Sequence, residues 1–158
     1  MKHCIFRFMR NCQKKLLTHQ GWNLGRNVQV SFHGVKKIGG EKIVCEDNVS
    51  INAETLLIAS ANIYIGKNST LAYRTLLTTN ANPNAPYNNL CKIYPPQYKD
   101  IWIGANVWIG AGAIVLPGCR IGNNCVIAAG SVLCKENPDN LMAAGVPAKI
   151  KKKIEIED

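Results

Sequence analysis

Residues 101–133 read IWIGANVWIGAGAIVLPGCRIGNNCVIAAGSVL. An aliphatic side chain recurs every six positions, at Ile103, Ile109, Val115, Ile121, Ile127 and Leu133. Four places after each of the first five stands a smaller residue: Val107, Ala113, Cys119, Cys125 and Ser131. The same period runs upstream through Cys45, Ile51 and Leu57, with Val49, Thr55 and Ala61 in the small slots. After a two-residue slip it resumes at Ile65, Leu71 and Leu77, with Ser69 and Thr75. A period of six matches neither an amphipathic helix at 3.6 nor a long alternating strand at 2. It matches short strands joined by tight bends, three of which close a triangular coil that stacks on the next at about 4.8 Å. The aliphatic residues then point into the prism, the small ones pack near its corners, and Gly or Asn makes the turns. The chain is expected to be an all-β solenoid, whose coils support one another by stacking.

Working outward, the repeat is interrupted once on a large scale. Between Leu77 and Ile101 the sequence TTNANPNAPYNNLCKIYPPQYKD has no period and four prolines. Long excursions from a rigid scaffold are uncommon and often functional, so this stretch reads as a protruding arm. Residues 3–17 place Ile5, Phe8, Met9, Cys12 and Leu16 at helical spacing among Arg7, Arg10, Lys14 and Lys15. Such a basic amphipathic helix can cover an end of its own domain, or associate weakly with an anionic membrane surface. The expected organisation is an N-terminal amphipathic helical segment over 1–22, the coil region over 23–134 with an arm loop at 78–100, and a C-terminal cap and tail over 135–158.

Composition narrows the class. The 158 residues carry a net charge of +9, yet residues 1–42 hold nine Lys and Arg against Glu41 alone, while residues 43–134 are close to neutral. The N-terminal cations have no nucleic-acid motif or phased aromatic set, so nucleic acid is not an expected partner. The seven cysteines are odd in number and lack a Cys-x-x-Cys pair, which supports neither a disulfide framework nor a zinc site. Cys45, Cys119 and Cys125 occupy core slots and read as small hydrophobes. With no apolar run near the roughly 20 residues of a membrane span, and Arg7 interrupting the only N-terminal apolar stretch, a cytoplasmic location is expected.

The hexads, the arm, and the ending Ala144-Gly145-Val146-Pro147-Ala148-Lys149 together resemble the hexapeptide-repeat acyltransferases, in the galactoside, maltose and polysaccharide O-acetyltransferase branch. The resemblance covers about residues 43 to 152. It implies a left-handed parallel β-helix, a homotrimer, acetyl-CoA as acyl donor without a metal, and a sugar or polysaccharide precursor as acceptor. It also implies donor contacts at Trp108, at Ala111 and Ala129, at Cys134 where many members have Thr, and at Lys149 and Lys152 near the phosphates. Clustered cations suit phosphate binding. A zinc-dependent carbonic anhydrase on the same scaffold is rejected, because His3, His19 and His33 are the only histidines and none lies in the coils that would present them.

One position departs from the branch. Its general-base histidine stands five residues beyond the last inward aliphatic before the arm, and counting from Leu77 arrives at Asn82. An asparagine amide hydrogen-bonds but does not accept a proton at neutral pH. Losing a general base costs about 10²–10⁴-fold in rate. Three readings stay open: His33 supplies the base from the same or a neighbouring subunit, Asp100 or another carboxylate does so, or Asn82 marks a slowed or silent, trimeric binding protein. Asn84, Tyr87, Asn88 and Tyr94 of the arm could face a sugar, and nothing in the sequence orders them.

Overall fold

The computed structural model describes residue 13 and residues 15–156. The amphipathic helix expected over 3–17 lies largely outside the described residues, of which 13 and 15–19 are helical.

From Trp22 the chain winds into a parallel solenoid with three flat faces. Face A stacks β1 (Trp22–Leu24), β4 (Ile43–Cys45), β7 (Ile63–Ile65), β12 (Ile101–Ile103) and β15 (Arg120–Ile121). Face B stacks β2 (Gln29–Val30), β5 (Ser50–Ile51), β8 (Thr70–Leu71), β13 (Trp108–Ile109), β16 (Val126–Ile127) and β18 (Leu141–Ala144). Face C stacks β3 (Lys36–Ile38), β6 (Leu56–Ile58), β9 (Leu76–Thr78), β14 (Ile114–Val115) and β17 (Val132–Leu133). Five full coils result. Parallel pairing continues past Leu133 through β18, on which β19 (Lys149–Lys153) folds back antiparallel as a lysine-rich edge. Charged edge strands resist further pairing.

The core is the one the hexads predict. Ile51, Leu57, Leu71, Leu77, Ile109, Val115 and Ile127 are at most 1% exposed, and Val49, Thr55, Ser69, Thr75, Ala113, Cys125 and Ser131 are buried beside them. One slot differs. Ala61 is only half-buried, whereas Ala59 and Ile63 are fully buried. The reason is coil length: β4 and β7 pair at an offset of 20 residues and β12 and β15 at 18, so the lower coils carry two more residues at the corner between faces C and A.

The corner between faces A and B holds an asparagine column. Asn27, Asn48, Asn68, Asn106, Asn124 and Asn140 all adopt φ between 53 and 60°. Asn48, Asn68, Asn106 and Asn124 each donate Nδ2 to the next Oδ1 at 2.9–3.0 Å, and Asn27 does so at 3.2 Å. Asparagine tolerates the left-handed region better than other residues with a β-carbon, and its amide can both donate and accept, so one residue type makes the turn and links the turns. Asn106→Ala is expected to lower unfolding free energy by about 2–3 kcal/mol, from the left-handed penalty plus two lost bonds. Asn106→Gly should cost clearly less in a denaturant titration; equal losses would refute the backbone part of this account.

Candidate active site

The arm enters and leaves at the corner between faces C and A. Its root is a two-stranded antiparallel ladder, β10 (Asn80–Ala81) with β11 (Gln97–Tyr98), which the aperiodic sequence did not reveal. Asn88 caps a short 3₁₀ turn over Asn89–Lys92, accepting the Leu90 N–H at 2.9 Å. The arm presents Tyr87, Leu90, Ile93, Tyr94 and Tyr98 exposed.

Asn82 lies just beyond β10, exposed, with its amide already engaged. Its Oδ1 accepts the Ala85 N–H at 2.9 Å and its Nδ2 stands 3.5 Å from the Tyr98 hydroxyl. The side chain therefore shapes the arm's first turn. Behind it the Thr78 hydroxyl donates to Asn80 Oδ1 at 3.0 Å, and Asn80 Nδ2 donates to Ser60 Oγ at 3.1 Å. Asp100 is also committed: its Oδ1 accepts the Asn62 N–H at 2.8 Å, while the Ile101 N–H donates to the Asn62 carbonyl at 3.0 Å. Together these bonds close the gap that the arm leaves in the coil.

The expected site residues fall on two edges of face C. Register carries Thr78 to Leu116 and Leu116 to Cys134, so exposed Cys134 stands two coils from Thr78 on the edge that bears Asn82. At the opposite edge, the corner between faces B and C, Ala111 and Ala129 are stacked: the Gly112 N–H donates to the Tyr73 carbonyl and the Gly130 N–H to the Ala111 carbonyl, both at 2.9 Å. His33 starts this same column, since the Glu54 N–H donates to its carbonyl at 3.0 Å and the Arg74 N–H to that of Ala53. His33 is thus three coils below Ala111, about 14 Å along the axis. Trp108 projects from face B, exposed, and register runs from it through Val126 and Met142 to Lys152; Lys149 pairs with Ala144 at the same end.

The upper part of the B/C corner is bare. Gly110, Ala111 and Gly112 lie beneath Ala128, Ala129 and Gly130, and a β-carbon at Gly112 or Gly130 would meet nothing within 4 Å. That open, small-residue track leads toward the lysines of β19. It fits a slender flexible chain ending in phosphates, through backbone contacts and cations. Between the two edges, the outer side of face C carries Leu56, Ile58, Leu76, Ile114, Leu116 and Val132, all half-buried.

Burial explains the inert thiols. It pushes Cys45 up to about 12 and is the main cause of the rise of Cys119 to about 11, opposed by the Leu116 backbone hydrogen bond and aided by the charge of Cys134. No group of three or more His, Cys, Asp and Glu among the described residues is placed to hold a metal, and none of their helices is long and apolar enough to cross a membrane.

Several known proteins are similar to this chain. The family described as bacterial transferase hexapeptide (six repeats) matches residues 100–135. A galactoside O-acetyltransferase of Lactococcus lactis is 34% identical over 92% of this chain and 70% of its own length. The crystal structure of a maltose O-acetyltransferase from Clostridium difficile is 33% identical with a TM-score of 0.76, over 87% of this chain and 73% of that one. A galactoside acetyltransferase solved in complex with coenzyme A is 30% identical with a TM-score of 0.72, covering 83% of this chain and 65% of that one. The chain spans 58–60% of the length of three other curated relatives. On these grounds the chain is a left-handed β-helix of the hexapeptide-repeat acyltransferase family, in the branch that holds the galactoside and maltose O-acetyltransferases.

Proposed function

We propose that the protein is an acetyl-CoA-dependent O-acetyltransferase acting on a sugar hydroxyl in the cytoplasm, and that it works as a homotrimer. The observation that carries this reading is the division of the candidate residues between two edges of one face. Asn82 and Cys134 stand on one edge, and Ala111 and Ala129 on the other. On one chain they flank opposite sides of face C, and a second copy set against face C would bring the C/A edge of one copy to the bare B/C track of its neighbour. The apolar stripe from Leu56 to Val132 is the surface such packing would cover, and a heterologous contact of this kind forms a closed trimer when each copy is turned by a third of a circle. In this reading the pantetheine arm follows Ala111 and Ala129, Trp108 walls the donor, Cys134 approaches it from the neighbouring copy, and Lys149 and Lys152 meet the phosphates.

A second reading has an observation of its own. Asn82 cannot take the hydroxyl proton and is spent on the arm's turn, which favours a trimeric, catalytically impaired binding protein of the same fold. Thiol release from acetyl-CoA, measured with galactosides, glucosides and maltose, separates the two, alongside light-scattering mass. The enzyme reading expects acceptor-dependent release by a particle of three 17.4 kDa chains. Coenzyme A binding with no release above hydrolysis for any acceptor would leave the binding protein, and a monomer in solution would remove the shared site.

A further inference from the structure

The B/C corner turns in the left-handed region in every coil, and its occupants change character halfway. Gly34, Gly112, Gly130 and Gly145 take this conformation with φ from 66 to 104°, as glycine readily does. Coils two and three instead place Glu54 at φ 61° and Arg74 at φ 60°. Every turn of the A/B corner uses asparagine, so a charged, long side chain at such a position stands out twice, in adjacent coils. Backbone conformations of this cost persist where something else is gained.

The two side chains are joined to each other. Arg74 Nε meets Glu54 Oε2 at 2.6 Å, and Glu54 lies across Gly34, where an added β-carbon would come within 3.2 Å of its Cγ. Both remain largely exposed, as does Tyr73 beside them. Directly above Arg74 the column has only Gly112 and then Gly130, with open space around each. The pair therefore stands where the bare track ends, Arg74 one coil below Gly112 and Glu54 two.

We propose that Glu54 and Arg74 grip the acceptor, binding a neutral sugar through two adjacent hydroxyls; this rests on the reading of the bare track as the donor's path. One carboxylate oxygen and the guanidinium Nη groups are left beyond the Nε–Oε2 contact. A sugar hydroxyl donates to the carboxylate while the oxygen of its neighbour accepts from the guanidinium, and the salt-bridged pair holds both planar groups in one orientation. Because the two charges cancel, the pair suits an uncharged ring. Tyr73 offers an aromatic wall beside it. Glu54 and Arg74 are specificity-determining residues in this account and take no proton from the acceptor.

The corner conformation makes the test clean, since glycine is the residue the backbone prefers there. Arg74→Gly and Glu54→Gly should melt at or above the temperature of the parent protein, and Arg74→Gln and Glu54→Gln serve as variants that keep a side chain. Binding of methyl β-galactopyranoside and methyl α-glucopyranoside to coenzyme A-saturated protein is followed by NMR titration. The expected result is binding by the parent to at least one glycoside and weakening of tenfold or more in folded glycine and glutamine variants. A deoxy analogue lacking one of the paired hydroxyls should bind the parent weakly and lose nothing further in the variant that removes that hydroxyl's partner. Binding unchanged within twofold in the variants, or no binding of either glycoside by the parent, overturns the proposal. If binding depends on the pair while acetyl transfer is absent, the grip stands and the transferase reading alone fails.

Discussion

Asn82→His should raise turnover of sugar acetylation by about two orders of magnitude or more, the usual worth of a general base. The parent residue has no proton-accepting atom at neutral pH, whereas imidazole titrates near 6.5 and exchanges protons under assay conditions. The local structure tolerates the replacement. Asn82 is exposed, and its Oδ1 accepts the Ala85 N–H at 2.9 Å. A neutral histidine at this turn gives up the bond to the Ala85 N–H, carries its proton on Nδ1 and leaves the Nε2 lone pair for the acceptor hydroxyl. Any loss in packing falls on the arm's first turn rather than on a coil. The measurement is kcat by thiol release across pH 5.5–8.5: the variant should gain a rising limb near pH 6–7 that the parent lacks. A variant within threefold of the parent at every pH would show that Asn82 does not mark the base position, and would shift the search to His33 of a neighbouring copy.

Alkaline unfolding is the second large effect, and it is set by the buried thiols. In the unfolded chain Cys45 and Cys119 titrate near their ordinary value of 9.0, while the native fold holds their protons up to about 12 and about 11. Above pH 9 the unfolded chain releases protons that the native chain keeps. Stability from this source is therefore complete below about pH 9 and is lost as pH rises. Each thiol contributes a slope of at most roughly 1.4 kcal/mol per pH unit, so the two together remove about 4 kcal/mol between pH 9 and 11. That is comparable with the whole stability of a small domain. Denaturant titrations of the parent and of a Cys45→Ala, Cys119→Ala double variant should start from different baselines, because alanine leaves small voids. The variant's alkaline limb should nevertheless be shallower by up to about 2.7 kcal/mol per pH unit. Parallel limbs would mean that these thiols are not what makes the fold sensitive to base.

The fold was legible because each hexad repeats one physical requirement, an apolar side chain facing the axis, and Ile109 or Leu71 meets it in full view of its neighbours in sequence. Ala61 was misplaced for the same reason. A strict period has no room for the two extra corner residues of the 20-residue coils, which bring Ala59 and Ile63 inward instead. The asparagine column escaped notice because its members are separated by 21, 20, 38, 18 and 16 residues, intervals that become regular only when the coils are stacked. Asn82 could be found by counting, but its partner Tyr98 lies 16 residues away across the arm's root, and nothing in that aperiodic stretch announces a ladder. The pairing of Glu54 with Arg74 was hidden likewise: two charged residues 20 apart read as ordinary surface until their backbone angles are known. The division of the candidate residues between two edges is a property of topology, which no local spacing encodes.

The arm has a further meaning in its register. Between coils three and four all three faces shift by the same 38 residues, from Ile63 to Ile101, Thr70 to Trp108 and Leu76 to Ile114, where the next step is 18 on every face. The chain leaves the prism and returns without turning, stretching or displacing a single strand pair. The scaffold thus treats the arm as a removable cassette. Arms of other lengths and compositions fit at this junction without altering the register of the coils on either side, so this segment is free to vary while the prism stays the same.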